Sequence, residues 1–238
     1  MWGKLVSINK ENNSLNQKTV YDLTPFTHLD FPNHLACIVW MNGCNMRCDY
    51  CYNKDIVFNK QGKYSFEDII QFLKTRVGLL DGVVLSGGEA TQHHLVPFCQ
   101  AIKNLRFKIK LDTNGMNPLL LKQLVELNLI DYVALDYKAP KEKFQAITHS
   151  NLYEKFSNSL DLLIKNNFDF EVRTTIHNDL LDENDINTII EDLYKRGYNK
   201  SYYLQKFLST TTNIGNITQS SKKFDPSLLL DKLPIIWR

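Results

Sequence analysis

Three of the chain's five cysteines, Cys44, Cys48 and Cys51, crowd into eight positions of the stretch Gly43-Cys44-Asn45-Met46-Arg47-Cys48-Asp49-Tyr50-Cys51. A tetrahedral metal takes four ligands, so three thiols suit a metal that keeps one position open, or an iron–sulfur cluster with one iron uncapped. A disulfide framework fits poorly, because the triplet is odd and the chain is long. A structural zinc site that borrows a histidine stays open as an alternative, as do reactive or buried loop thiols. The reading that explains the missing ligand is a [4Fe–4S] cluster held through three of its irons.

Such a loop needs a rigid element in front of it. Leu35-Ala36-Cys37-Ile38-Val39-Trp40-Met41 is a continuous apolar run rich in β-branched and aromatic residues, bounded by Pro32 and Gly43, and reads as a buried strand. Ser65 to Arg76 reads as a capped helix, with Phe66, Ile69, Ile70 and Leu73 on one face and Gly78 as a stop. Val83-Val84-Leu85 is the next strand, and the alternation repeats. Helix is expected over 92–104, strand over 107–111, helix from Asn117-Pro118, and strand over 131–135. A short helix near 140–147 precedes a longer one over 151–166; strand follows over 168–176, helix over 182–196, and strand over 202–207. Six strands alternating with helices mean a parallel sheet. The expected class is α/β, an incomplete (β/α)6 barrel or else an open doubly wound sheet. One domain is expected over 1–238, with a lead-in over 1–34, the core over 35–208 and a C-terminal loop and short helix over 209–238.

Bulk properties exclude several classes. Of the 238 residues 43% are hydrophobic and 23% charged, which is ordinary for a folded domain, and 28 Lys and Arg against 26 Asp and Glu leave a charge of only +2. Nothing in that balance points to nucleic acid. Leu5-Val6-Ser7-Ile8 is too short an apolar run for a signal peptide, and no stretch is long enough for a membrane helix, so a cytoplasmic protein with reduced thiols is expected.

In this topology the loops after the strands converge at their carboxyl ends. They carry Cys44, Cys48 and Cys51; then Ser86-Gly87-Gly88-Glu89-Ala90-Thr91; then Asp112-Thr113-Asn114-Gly115; then Asp136-Tyr137-Lys138. Paired glycines would let backbone N–H groups approach a ligand closely. Buried carboxylates would need a cationic partner, either organic or a metal ion.

The Cys-x3-Cys-x2-Cys spacing with Tyr50 before the last cysteine, and the Gly-Gly-Glu strand end, resemble the radical S-adenosylmethionine superfamily. Asp30-Phe31-Pro32, the cysteine stretch continuing to Tyr52-Asn53, Leu79 to Glu89, Lys110-Leu111-Asp112-Thr113-Asn114-Gly115 and Asp131 to Pro140 are similar to the anaerobic ribonucleoside-triphosphate reductase activating proteins, over roughly residues 27–177. The resemblance implies that Cys44, Cys48 and Cys51 bind three irons while S-adenosylmethionine takes the fourth through its methionyl amino and carboxylate groups. It further implies one-electron cleavage to methionine and a 5′-deoxyadenosyl radical, chemistry that belongs to the cofactor. Gly87, Gly88 and Glu89 would hold the methionyl amino end, and Tyr50 would lie beside the adenine. Asp112, Thr113 and Asp136, with Asn114 and Lys138 in the same blocks, would lie near the methionyl carboxylate and a monovalent cation. Arg173 and Gln205 would line the cavity. The pattern departs at Asn33, where glycine is common, and at Ala90, where proline is common; both bear on loop shape.

Among the quieter residues, Cys37 and Cys99 read as small core residues. His93, His94 and His177 read as solvated or capping groups, and Asp112 and Asp136 could by themselves be turn residues. The Lys54, Lys60 and Lys63 scatter is a solvated face or a basic rim for an electron-donor protein such as flavodoxin or ferredoxin. The expectation is an activating enzyme that leaves a glycyl radical on the large subunit of anaerobic ribonucleotide reductase. Its rivals are a small-molecule radical enzyme such as 7-carboxy-7-deazaguanine synthase and a non-catalytic zinc module.

Overall fold

An apolar run with no polar alternation must be covered on both faces, and Ala36–Met41 is buried along nearly its whole length. The computed structural model describes residues 16–210 and 212–238, and the lead-in runs at Leu5–Ile8 and Asn12–Ser14 lie outside the described residues. Two compact units are present. One holds the described residues up to Cys44 with Asp55–Asp112 and Leu119–Tyr132; the other holds Asn45–Lys54, Thr113–Pro118 and the described residues of Val133–Arg238.

In the first unit Val20–Thr27 forms β1, antiparallel to β2 (Ala36–Met41) with Thr24 opposite Ile38. β3 (Gly82–Gly87) runs parallel to β2, and β4 (Lys108–Thr113) parallel to β3, so that Val39, Leu85 and Leu111 lie side by side. Around them are α1 (Lys54–Phe58), α2 (Phe66–Lys74), α3 (Leu95–Asn104) and α4 (Pro118–Glu126). α2 begins where expected, because Ser65 and Asp68 exchange hydrogen bonds in a capping box, and it buries Phe66, Ile69, Ile70 and Leu73. Phe66 stacks on Phe98 of α3 at 4.0 Å between ring centres. α3 starts later than the expected residue 92. Ala90–Gln92 is a separate 3-10 turn capped by Glu89, the chain is extended at His93, and the helix opens at Leu95, which puts Pro97 in a first turn that needs no donor from it. Asn33 has φ 61°, a left-handed conformation that glycine enters freely and asparagine tolerates.

In the second unit β5 (Tyr132–Asp136), β6 (Phe170–Ile176), β7 (Tyr202–Lys206) and β8 (Ile235–Trp237) are parallel neighbours in that order. α5 (Lys141–Thr148) ends at His149 in the left-handed conformation, which separates it from α6 (Tyr153–Lys165). α7 (Glu183–Lys195) opens on the Asp182–Asp185 capping box. The six expected strands are β2 to β7. The short helix expected within 209–238, around Ser227 to Leu233, is absent: Pro226–Leu228 makes one 3-10 turn, and Ile235–Trp237 adds to the edge of β7. Pro234 cannot continue a helix, and its carbonyl accepts from Tyr202 N at 2.8 Å, which sets the following Ile-Ile-Trp in register. Among the described residues no helix is long and apolar enough to cross a membrane.

Candidate cluster and cofactor site

β2 delivers Cys44 to the end of the first unit, where Gly43, at φ 73°, donates its N–H to Ile56 O at 2.8 Å. Cys48 and Cys51 belong to the second unit, and their loop is fastened there along the backbone. Arg47 N and Asp49 N donate to Thr148 O and Ile147 O, carbonyls of the last turn of α5 that have no partner within the helix. Cys51 N closes a tight turn on Cys48 O at 3.0 Å. On the other side Ile214 N donates to Cys51 O at 3.0 Å and Gly215 N to Asp49 O at 2.9 Å, while His149 Nε2 donates to Asp49 Oδ1 at 2.8 Å.

All five cysteines are unbridged. Cys37 and Cys99 are buried in β2 and α3, and burial pushes both thiols up to about 12, so they stay protonated core residues, as expected. That leaves Cys44, Cys48 and Cys51 as soft donors on one short stretch. The set fits a cluster bound by three thiolates. Among the described residues no group of three or more His, Cys, Asp or Glu side chains is assembled around a point for a single metal ion.

The first unit also presents the end of β3. Gly88 N donates to Met41 O at 2.9 Å and Glu89 N to Gly43 O at 2.8 Å, so these two N–H groups serve the backbone and not a bound anion. The glycines are required for that approach: a Cβ on Gly88 would stand 1.8 Å from Gly43 O, and one on Gly87, which has φ 113°, would stand 2.5 Å from Met41 N and O. Glu89 is buried and accepts from Thr91 N and Thr91 Oγ1. His93 Nε2 donates to Asn42 O at 2.8 Å, and burial holds its imidazole below the ordinary histidine range. Asp112 pairs with the ammonium of the buried Lys110 and accepts from Ser86 Oγ at 3.0 Å.

In the second unit Thr113-Asn114-Gly115 forms a tight turn. Thr113 Oγ1 accepts from Gly115 N, Asn114 Oδ1 accepts from Met116 N, and Ser159 Oγ donates to Gly115 O at 2.6 Å. Gly115, at φ 73°, has Leu135 and Phe156 packed where a Cβ would go. The Asn114 amide reaches Asn45 Oδ1 in the cysteine loop at 2.7 Å. Asp136 and Arg173 are paired in register on β5 and β6, with Arg173 Nε 2.9 Å from Asp136 Oδ1, and Lys138 Nζ lies 3.1 Å from Oδ2. Burial opposes the Lys138 charge, yet Asp136 holds the ammonium well above the ordinary lysine range. The Tyr50 ring is buried, its hydroxyl 3.5 Å from Lys138 O and its face 5.9 Å from Lys138 Nζ; burial raises its phenol well above the usual value. Asp112 and Asp136 thus meet cations of their own chain. Lys110 and Asp112 share a face of β4 at spacing two, and Lys138 stands two residues beyond Asp136, just past the end of β5; both spacings are present in the sequence. The contacts from His149, Ile214 and Gly215 come from distant positions that carry no such signal.

His94 precedes α3 without making a side-chain cap, and Gln205 lies in register with Thr175. His177 Nε2 donates to Thr218 O at 2.7 Å and packs edge-on against Phe207. Beside it, at the carboxyl ends of β6, β7 and β8, a cavity of about 430 Å³ is lined by Lys206, Phe207, Phe224 and Trp237.

Residues 38–193 match the family model described as the radical SAM superfamily. A protein of Methanocaldococcus jannaschii that carries the provisional name glycyl-radical enzyme activating enzyme is 31% identical over 190 residues, covering 74% of this chain and 77% of its own. The pyruvate formate-lyase-activating enzyme of Streptococcus mutans is 30% identical over 142 residues, 53% of each chain. Among solved structures, Streptococcus suis SuiB bound to S-adenosylmethionine superposes with a TM-score of 0.62 at 14% identity, over 82% of this chain. The chain spans about half the length of that protein, 48%. Likeness at that identity speaks to fold alone, and it bears out the expected α/β class of the incomplete (β/α)6 type.

Proposed function

The chain belongs to the radical S-adenosylmethionine superfamily, and on that premise we propose that it is an activating enzyme that abstracts a hydrogen from a glycine Cα of a partner protein, namely the large subunit of anaerobic ribonucleoside-triphosphate reductase. When bound, the cluster and S-adenosylmethionine supply the one-electron cleavage and the hydrogen abstraction. The chain's own groups hold and orient. Cys44, Cys48 and Cys51 would carry three irons, and Tyr50 would cover the adenine. Gly87, Gly88 and Glu89 would shape the methionyl end, with Thr113, Asn114, Lys138 and Arg173 as further polar contacts. The proposal extends to a monovalent cation, which would share Asp112 with Lys110, or Asp136 with Arg173 and Lys138. A flavodoxin or ferredoxin would deliver the electron.

The observation that carries the choice of substrate is the Asn114–Asn45 hydrogen bond. It ties Asn114 of the Asp-Thr-Asn-Gly block, which with the Asp-x-Lys block carries the resemblance to activating enzymes, into the cysteine loop. The test is anaerobic reconstitution with iron and sulfide, followed by reductant, S-adenosylmethionine and the reductase. The expected result is 5′-deoxyadenosine together with a glycyl-radical EPR doublet on the reductase. Release of 5′-deoxyadenosine with no doublet on the partner, or turnover of a small molecule with no protein partner, would remove the activating role.

A further inference from the structure

The polar run over 209–221 has the composition of a plain surface loop, yet part of it is built as a clasp. Asn213 is buried, and both ends of its side-chain amide are used on one residue: Nδ2 donates to Ile217 O at 2.7 Å, and Oδ1 accepts from Ile217 N at 2.8 Å. This closes the turn 213–217. The two N–H groups just inside it, from Ile214 and Gly215, donate to Cys51 O and Asp49 O. Gly215 has no room for a side chain, since a Cβ there would stand 2.6 Å from Asp49 Cβ and 2.8 Å from Asp49 Cα. The far side of Asp49 is held by His149. Asp49-Tyr50-Cys51 is therefore gripped between α5 with His149 and the 213–217 turn.

We infer that the 213–217 turn is a positioning element for the third cysteine and for Tyr50, with Gly215 the residue that admits the close approach and Asn213 the residue that keeps the turn shut. By fixing the two carbonyls that flank Tyr50, the turn sets where the Cys51 sulfur and the Tyr50 ring point toward cluster and cofactor. The inference rests on the superfamily chemistry and not on the identity of the partner protein.

The test uses the full-length protein in two states. In the cluster-free protein, alkylation of each cysteine by iodoacetamide is followed by peptide mass spectrometry, because labelling of a held thiol reports local opening. G215A and N213A are expected to label Cys51 roughly tenfold faster than wild type, with Cys37 and Cys99 unchanged. G197A is the control: Gly197 has φ 87° and open space around it, so an alanine there strains the backbone without touching the loop, and Cys51 should label at the wild-type rate. In the reconstituted protein, the change in the cluster EPR spectrum on adding S-adenosylmethionine should shrink in G215A and N213A and persist in G197A. Wild-type Cys51 labelling in both variants, or equal acceleration at all five cysteines, would overturn the inference. N213A adds no bulk and carries the test if G215A does not fold. The labelling arm needs neither cluster nor partner, so its failure is distinct from failure of the proposed activity.

Discussion

Asn114 Nδ2 lies 2.7 Å from Asn45 Oδ1, joining a turn after β4 to the cysteine loop across 69 positions of sequence. Asn114 is buried, and its oxygen also accepts from Met116 N. Asn114→Ala removes both bonds and takes the acceptor from the backbone N–H of the buried Met116, which is expected to cost about 1–3 kcal/mol. Urea unfolding measures it, and a loss well below that range would mean that the contact contributes nothing.

The cysteines should separate into two groups. Cys44→Ser, Cys48→Ser and Cys51→Ser are each expected to abolish stable cluster loading, while Cys37→Ser and Cys99→Ser keep wild-type iron and sulfide content but melt earlier, because a hydroxyl replaces a buried thiol. Metal and sulfide analysis after anaerobic reconstitution, with a thermal melt, distinguishes the groups. Full iron loading in any of the first three would contradict the assignment.

Lys110 and Asp112 form a buried ion pair within one strand. Removing Lys110 takes away the cation beside Asp112 at a largely buried position, so Lys110→Met should lower stability by up to about 3–5 kcal/mol, and the double variant with Asp112→Asn should recover part of that loss. A double-mutant cycle by chemical unfolding supplies the coupling. Equal stability of single and double variants would show that the pair is not coupled.

Acidification should act through His93. Its folded-state pKa lies below the ordinary value of 6.5 because the ring is buried, so the unfolded chain takes up a proton at a pH where the native chain does not. Stability is therefore fully present above about 6.5, falls as the pH drops through that value, and stops falling below the folded-state pKa. Melting temperatures between pH 7.5 and 5.5 should fall less in His93→Gln than in wild type; parallel curves would exclude His93 as the source.

Gly88→Ala asks for space that the backbone of Gly43 occupies. The Gly88 N–Met41 O and Glu89 N–Gly43 O bonds must break to admit the methyl group, so the variant should unfold at markedly lower denaturant and lose its cluster faster to a chelator. Wild-type behaviour in both measurements would show that the β3 end has slack the structure does not display.

Much of this protein is legible without coordinates, because its signals are local. The three-thiol spacing, the apolar runs of β2 and β3, the Ser65 and Asp182 caps and the βα alternation all follow from neighbours along the chain, which is where hydrogen-bond periodicity and side-chain spacing act. The Lys110 partner of Asp112 stands two residues away on the same strand, a local signal too, whereas Arg173 reaches Asp136 only because β5 and β6 pair in that register. The rest was decided by packing between remote segments. That the Gly87-Gly88 pair serves backbone approach to Met41 and Gly43, that Ile235–Trp237 adds to the edge of β7, and that Asn213 and Gly215 grip the loop of Cys51 depend on which segments meet. A one-dimensional pattern does not specify those meetings, since a glycine reads the same whether the space beside it holds a ligand, solvent or another backbone.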